Sequence, residues 1–151
     1  QVFVRTFVPR IFTILNTLIL FMHVKKFLEW IGLKKKLHFE PQKVPHVSDG
    51  QIWWASLGEN VGFEINGKSN DFTRPVIILK KLTSSFYLTI PLTTQIRTGT
   101  WYVIFKQNGR DMVACLHQIR SMDYRRLHSR VGQLDEGDFK RVKEEFLKLL
   151  V

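Results

Sequence analysis

The chain has 151 residues, 44% hydrophobic and 13% aromatic, which fits one domain with a well-formed core and excludes disorder over most of its length. Lysine and arginine number 23 against 13 acidic residues, a net charge of +10, so the expected partners are nucleic acid, an anionic membrane or an acidic protein. The lone cysteine, Cys115, excludes an intrachain disulfide and fits a reducing, cytoplasmic compartment. Its apolar neighbours favour a buried thiol over a reactive one.

Residues 1–21 differ from the rest of the chain because they carry two arginines and no acid. The apolar run over 11–22 is interrupted by three polar residues. It is shorter than the roughly 18 apolar residues that a membrane span needs. A basic start before a short apolar run is typical of a signal peptide, but no small-x-small cleavage site follows. The favoured interpretation is an over-extended reading frame with its true start at Met22. A membrane anchor and a structured extension stay open, and no obligatory membrane association is expected.

Residues 22–47 are predicted to form an N-terminal helix and a linker, ahead of a barrel domain over 48–151. The helix, over 23–38, carries apolar residues at helical spacing, which predicts the face that packs on the domain. These residues are Val24, Phe27, Leu28 and Ile31. The lysines lie largely around the other face, either as a solvated surface or in contact with nucleic-acid phosphates.

Short strands with turn signals between them are predicted after the linker. They cover Gln51–Leu57, Arg74–Lys81, Phe86–Ile90, Trp101–Lys106, Met112–His117 and Val131–Leu134. Residues 121–128 are predicted to be a short helical turn, and a last helix begins with Asp135 as its N-cap. This order predicts a mainly β fold with flanking helices, in which the strands form a small closed barrel or a strongly bent sheet.

Two features beside the first strand point to the surface. Trp53 and Trp54 are adjacent, so their side chains lie on opposite faces of the sheet. One is predicted in the core, and the other either lines a surface groove or covers the second face of the sheet. The polar segment 58–73 contains three glycines and is too long for a tight hairpin, so we expect it to carry function.

The stretch from 74 to 95, RPVIILKKLTSSFYLTIPLTTQ, is the most informative part of the sequence. It predicts a strand, a turn and a second strand. Because a hairpin returns its exit close to its entry, we expect Arg74 near the hydroxyls of Thr93 and Thr94. A guanidinium beside hydroxyls can hold a phosphodiester.

Five segments, in order and at matching spacing, resemble the MazF/PemK-like toxins of toxin–antitoxin systems. They are QIWWASLG, VGFE, RPVIIL, PLTTQ and ACLHQIRSMDYRRLHSRVG. The resemblance implies an SH3-like barrel and a sequence-specific endoribonuclease that cleaves single-stranded RNA. It also implies a homodimer, a cytoplasmic location and a cognate antitoxin protein that neutralises the toxin.

The resemblance also assigns site residues. The family's arginine before proline falls on Arg74, its catalytic threonine on Thr93 and the acid of its loop motif on Glu64. The loop after Glu64 is longer than is usual in the family, which makes the role of Glu64 less secure. Contacts with RNA are expected from Lys68, Thr94, Gln95, Arg97, Gln118 and Arg120.

The chemistry implied is metal-free and needs no cofactor, because the substrate's own 2′-hydroxyl attacks the phosphorus. Arg74 and Thr93 would stabilise the charge that develops there. Arginine is a poor proton acceptor at neutral pH, so Glu64 or water is the more defensible general base. His117 is another candidate, but a structural or core histidine is the better interpretation of its place beside Cys115.

Two functions without catalysis stay open. One is an RNA-binding module that has lost cleavage. The other is a barrel that poisons DNA gyrase, as CcdB-type toxins do. Intact Arg74 and Thr93 argue against both.

Overall fold

A computed structural model describes residues 26–151. Helix α1 covers residues 26–39 of this part. The strands are β1 (Gln51–Ser56), β2 (Thr73–Lys81), β3 (Phe86–Thr93), β4 (Tyr102–Gln107), β5 (Arg110–Cys115), β6 (Arg120–Asp123) and β7 (Leu127–Gln133). Two 3-10 turns, η1 (Leu116–Gln118) and η2 (Tyr124–Arg126), flank β6, and helix α2 (Glu136–Lys148) follows. The predictions for residues 1–21 and for Val24 lie outside the described residues. Within residues 26–151, no helix has the length and apolar character that crossing a bilayer requires.

The strands form one antiparallel sheet in the order β4-β5-β3-β2-β1-β7, with β6 pairing to β3 beside this path. The sheet curls into a half-barrel whose two ends approach each other at Gln107 of β4 and Gly132 of β7. A Cβ atom on Gly132 would lie 2.4 Å from Nε2 of Gln107. The predicted mainly β fold with a helix at each end is confirmed.

Alternating side chains divide the core into two clusters, one on each face of the central strands. Ile52 and Ile77 lie in the cluster that packs against α2, where Val142 is fully buried. Trp53, Val76 and the other residues of opposite parity lie in the second cluster. The alternation follows from the two-residue period of a strand, and burial on both faces explains the continuous apolar run in β2. Asp135 caps α2 as predicted, because its Oδ1 accepts from the Asp138 amide at 2.9 Å.

The predicted apolar face of α1 is wrong within the described residues. Trp30 is the buried residue, only 6% exposed, whereas Leu28 is 63% exposed and Phe27 and Ile31 are also exposed. The indole packs on the Phe72 ring, with centroids 5.6 Å apart, and on Gly58. Because Gly58 has no Cβ, the largest side chain of the helix can approach the backbone closely, and its area decides which face docks.

Two predictions around β5 and β6 also need correction. The strand predicted to His117 ends at Cys115, and His117 lies exposed on η1 with its ring 5.4 Å from that of Trp101. It is therefore not a core histidine. The helical turn predicted over 121–128 is divided among β6, η2 and β7. Residues 120–123 are extended because β3 offers them a free edge, on which Met122 pairs with Tyr87.

Candidate functional site

Arg74 and Thr93 lie at the same end of neighbouring strands. In the β2–β3 ladder Val76 pairs with Pro91, and continuing this register by two residues brings Arg74 opposite Thr93. Residues opposite each other in an antiparallel pair project from the same face. The expected meeting of guanidinium and hydroxyl therefore follows from the hairpin, and β3 extends three residues beyond its predicted end to include Thr93.

The Arg74 guanidinium is half-buried and held by two backbone carbonyls. Its Nε donates to the oxygen of Asn66 at 2.9 Å, and its Nη1 donates to the oxygen of Leu92 at 3.4 Å. Burial lowers the pKa of Arg74 from its usual value, and the negative charge that Cys115 carries as a thiolate acts in the opposite direction. These carbonyls fix the plane of the guanidinium and leave further N–H groups for a ligand.

The Thr93 hydroxyl is oriented by the turn that follows it. Its Oγ1 accepts a hydrogen bond from the Gln95 amide at 3.2 Å, and the residue is only 9% exposed. Since the oxygen is used as an acceptor of this amide, its hydrogen can be donated to a second group. Thr93 can therefore serve as a donor to a phosphate oxygen held by Arg74.

A cleft of about 600 Å³ opens in front of this pair, and we call it the Arg74 cleft. Its apolar surface comes largely from Trp54, Pro75, Leu92, Met112 and Val131. Its polar and charged lining comes from Lys68, Ser69, Thr73, Arg74, Thr93, Thr94, Gln107, Asn108 and Arg110. Among these described lining residues, none carries a carboxylate. The cleft therefore combines a cationic rim with an apolar surface on which a planar ring can stack.

The segment from the end of β1 to the first residue of β2, which we call the 57–73 loop, is held by its own hydrogen bonds. The Gly67 amide donates to the carbonyl oxygen of Gly58 at 2.9 Å, and the backbones of Lys68 and Thr73 form an isolated antiparallel β-bridge. A Cβ atom on Gly67 would lie 1.7 Å from the carbonyl oxygen of Phe72, so this crossing requires glycine. The loop that was expected to carry function thus has a defined path, and it supplies the Asn66 carbonyl to Arg74.

Gln118 contacts this loop, and neither Gln118 nor Arg120 lines the Arg74 cleft. The Gln118 side chain accepts from the Ile65 amide at 3.0 Å and donates to the oxygen of Phe63 at 3.1 Å. Arg120 and Glu64 line a second cleft of about 280 Å³, which is bounded by α1 and which we call the α1 cleft. Burial lowers the pKa of Arg120, and the carboxylate of Glu64 raises it. Gln118 therefore clamps the loop, and Glu64 faces Arg120.

The structure thus divides the predicted site residues into groups. Lys68 and Thr94 join Arg74 and Thr93 in the Arg74 cleft, whereas Glu64 and Arg120 line the α1 cleft. Gln95 and Arg97 follow Thr94 on the exposed turn, where Arg97 Nη2 donates to Gln95 Oε1 at 3.2 Å. Within residues 26–151, no group of three or more His, Cys, Asp or Glu side chains could hold a metal ion.

Several residues of the Arg74 cleft escaped the sequence analysis. Asn108 and Arg110 lie at the tip of the β4–β5 hairpin and form its opposite wall. The Asn108-Gly109 turn signal located this hairpin, but only the curl of the sheet brings it to β2. Trp54 is not among the missed residues, because the groove position predicted for one of the two adjacent tryptophans is confirmed for Trp54, which is 43% exposed and lines this cleft. Asn66 acts through its backbone oxygen, which no side-chain pattern reveals.

Comparison with known proteins gives a consistent assignment. Residues 48–150 match the PemK-like, MazF-like toxins of type II toxin–antitoxin systems. A search of curated proteins by sequence gives no significant match. Among solved structures, MazF from Deinococcus radiodurans is similar, with a TM-score of 0.58 and 19% identity over 72% of this chain and 98% of that one.

Two mycobacterial structures are also similar. One is an endoribonuclease in complex with its cognate antitoxin, with a TM-score of 0.56 and 14% identity over 70% of this chain and 95% of that one. The other is an endoribonuclease with a TM-score of 0.53 and 15% identity over 74% of this chain and 95% of that one. At these identities the likeness is one of fold. The family match spans more than half of the residues, and the chain therefore belongs to the PemK-like, MazF-like toxins, a family of RNA-cleaving enzymes.

Proposed function

We propose that this toxin is a sequence-specific, metal-independent endoribonuclease that cleaves single-stranded RNA in the Arg74 cleft. The observation that carries the proposal is the pairing of Arg74 with Thr93 at the end of the β2–β3 hairpin. A fixed guanidinium and a hydroxyl donor beside an apolar surface suit a phosphodiester flanked by bases. The cationic rim supports binding to an RNA backbone.

The proposed reaction is an in-line transfer. The 2′-oxygen of the substrate attacks the adjacent phosphorus, and its proton goes to a base. The bond from phosphorus to the 5′-oxygen breaks, and that oxygen takes up a proton. The products are a 2′,3′-cyclic phosphate and a 5′-hydroxyl end. Arg74 would bind two non-bridging oxygens, and Thr93 would donate to one of them as negative charge develops.

We assign the role of proton acceptor to water, because neither Arg74 nor Glu64 suits it. Arg74 stays protonated at neutral pH, because even a shifted arginine is a poor base. Glu64, the acid assigned by resemblance, is exposed and accepts from the Val61 amide at 3.3 Å. It lines the α1 cleft beside Arg120, apart from the lining of the Arg74 cleft. We therefore assign Glu64 a role in positioning the loop and Arg120, and we do not assign it the role of proton acceptor.

RNA contacts follow from the lining of the cleft. Trp54 offers a stacking surface for a base, and Lys68 and Thr94 lie where neighbouring phosphates would pass. Gln95 and Arg97 are exposed on the adjoining turn and would reach the next nucleotide. Specificity for a base sequence would come from the loops on either side of the cleft, since base edges must be read by positioned donors and acceptors.

We further propose a cognate antitoxin, a homodimeric state and a cytoplasmic location. Membership of a type II toxin–antitoxin family supports the antitoxin, and similar structures include a MazE–MazF complex. The net charge of +10 favours an antitoxin with an acidic segment, whose association would be fast at low salt. Light scattering of the purified protein tests the dimer, because it measures the molar mass in solution. A mass equal to that of a single chain would contradict the homodimer.

The central experiment incubates the full-length protein with a long single-stranded RNA in excess EDTA, beside Arg74→Ala. We expect cleavage at a few recurrent sites, 5′-hydroxyl ends, and loss of cleavage in Arg74→Ala. A 2′-deoxy nucleotide at a mapped site should block cleavage there. Ends that carry a 5′-phosphate, or cleavage only without EDTA, would contradict the mechanism. Intact RNA with a folded protein would favour the non-catalytic alternatives, RNA binding or inhibition of DNA gyrase.

A further inference from the structure

Two arginines converge on the α1 cleft, apart from the Arg74 cleft. Arg120 Nη1 and Arg126 Nη1 both donate to the carbonyl oxygen of Leu57, at 3.5 and 3.4 Å. Arg126 also donates to the oxygen of Ser56 at 3.1 Å. Both side chains are half-buried. Two guanidinium groups are thus held side by side at one backbone oxygen.

Among residues 26–151, neither arginine has a carboxylate within ion-pair distance, although Glu59 and Glu64 also line the α1 cleft. Burial and then the positive charge of Arg120 lower the pKa of Arg126, while Asp123 opposes the shift. Asp123 is engaged by Arg125, whose Nε lies 3.3 Å from its Oδ1. The negative charge of Glu64 opposes the lowering of the Arg120 pKa. Among the ion pairs of residues 26–151, however, the Glu64 carboxylate is not paired with Arg120. A bound anion would relieve the repulsion between the two cations.

Helix α1 completes this cleft. The Arg126 guanidinium lies over the Trp30 ring at 5.3 Å, and Lys34, one turn further along α1, is exposed on the cleft wall. A third cleft of about 290 Å³ continues along the seam between α1 and η2, and it shares Lys34 and Arg126 with the α1 cleft. Arg125 lines this continuation and donates to the oxygen of His38 at 3.2 Å. Basic side chains therefore line both adjoining clefts, and the third cleft also contains the Asp123 carboxylate that pairs with Arg125.

The 57–73 loop contributes residues to both the α1 cleft and the Arg74 cleft. The backbone oxygen of Asn66 accepts from Arg74, while its side-chain Nδ2 donates to Glu59, which lines the α1 cleft, at 3.0 Å. Lys68 and Ser69 of the same loop line the Arg74 cleft. An RNA strand that crosses this loop would pass from the Arg74 cleft to the α1 cleft. The family match begins at residue 48, so α1 lies outside it.

We propose that the α1 cleft binds a backbone phosphate of the RNA strand several nucleotides away from the scissile bond, through Arg126, Arg120 and Lys34. This inference rests on the proposed function for the identity of the strand. It makes α1 part of the RNA-binding surface, with Trp30 as the residue that positions Arg126. Single-stranded RNA is favoured over an acidic protein because the cations are spread over two adjoining clefts, and the 57–73 loop lines both the α1 cleft and the Arg74 cleft.

The test measures the affinity of fluorescein-labelled oligouridylates of increasing length by anisotropy, in the full chain carrying Arg74→Ala so that RNA stays intact. Lys34→Gln and Arg126→Gln are compared with Lys35→Gln, a neighbouring lysine that lines neither cleft. We expect about tenfold weaker binding of the long RNA in Arg126→Gln, and a smaller decrease in Lys34→Gln. The shortest RNA should bind all variants equally. The salt slope of log K should fall by about 0.7 for each phosphate that a variant no longer neutralises.

Equal affinity of Lys34→Gln, Arg126→Gln and Lys35→Gln for the long RNA would overturn the inference. Lys34 is exposed, so its replacement tests the cleft even where thermal melting shows that Arg126→Gln is misfolded. Loss of polyglutamate binding in Lys34→Gln, with RNA affinity unchanged, would also overturn it and would indicate a protein partner. Wild-type protein that leaves RNA uncleaved, yet shows the Lys34-dependent and length-dependent binding, would contradict the nuclease and support this site.

Discussion

Arg74 Nε donates to the carbonyl oxygen of Asn66 at 2.9 Å, so the orientation of the central guanidinium is set by the loop that precedes its own strand. The side chain of Asn66 in turn accepts from the Asn60 amide at 2.7 Å and donates to Glu59. The geometry of the proposed active site is therefore coupled to the path of the 57–73 loop. Changes in that loop that displace Asn66 should affect cleavage without touching Arg74 or Thr93.

Arg74→Lys should remove most of the cleavage activity although it keeps the positive charge. A lysine ammonium cannot hold both carbonyls of Asn66 and Leu92 and still bind two phosphate oxygens in a plane. We expect a loss of about 3 kcal/mol in transition-state stabilisation, or roughly 100-fold or more in single-turnover cleavage. Arg110→Lys, the same change on the opposite wall, serves as the control and should cost less than about tenfold. Equal effects of the two changes would contradict the special role of Arg74.

Thr93→Val should preserve the packing of a nearly buried residue and remove its hydroxyl. Loss of one donor to the developing charge should slow cleavage by roughly 100-fold. The Gln95 amide also loses its acceptor, which should lower the free energy of unfolding by about 1 kcal/mol. Thr93→Ser, which restores a hydroxyl, should recover most of the rate. Cleavage that is lost equally in the serine variant would point to packing instead of donation.

Gly67→Ala should disturb the loop and, through Asn66, the orientation of Arg74. Its Cβ would lie 1.7 Å from the Phe72 carbonyl oxygen, so the crossing must open. We expect a loss of about 2 kcal/mol in the free energy of unfolding. Cleavage should fall by about 100-fold, since small misplacements of a catalytic group are costly.

Gly62→Ala is the matched control for this loop. Gly62 has a φ of +57°, but nothing lies within 4 Å of a Cβ atom placed on it. The change should cost about 1 kcal/mol in backbone strain and leave the rate of cleavage nearly unchanged. Urea unfolding and single-turnover cleavage of both variants separate the two effects. If Gly67→Ala cleaves as fast as Gly62→Ala, the coupling through Asn66 is absent.

His128 should make the stability of the fold depend on pH. Its Nε2 lies 2.7 Å from Ser56 Oγ, and although the residue is exposed overall, partial desolvation of the imidazole lowers its pKa below the usual 6.5, with Asp71 opposing the shift. Below about pH 6.5 the unfolded chain binds the proton more readily than the folded one. The stabilisation from neutral His128 is therefore present above that pH and is lost as the pH falls. Urea midpoints from about pH 5 to 8 should show a weaker slope for His128→Gln than for the control His46→Gln.

Local patterns in the sequence predicted the strand–turn–strand hairpin, the Asp135 cap and the burial of Cys115. Each depends on neighbouring residues along the chain, through the two-residue period of a strand or the unsatisfied amides of a helix start. The meeting of Arg74 and Thr93 belongs to the same class, because a hairpin fixes which residues lie opposite each other.

Three features depended on packing between distant segments. The packing of Trp30 on Gly58 decides which face of α1 docks. The open edge of β3 makes β6 extended. The curl of the sheet brings Asn108 and Arg110 to β2, where they form the far wall of the Arg74 cleft. The sequence by itself determined the fold class and the central pair of the site, since both follow from local periodicity and hairpin register. Only the tertiary structure decided that Glu64 faces Arg120 in a separate cleft, because a long loop can take many paths until Gln118 and Asn66 hold it in one.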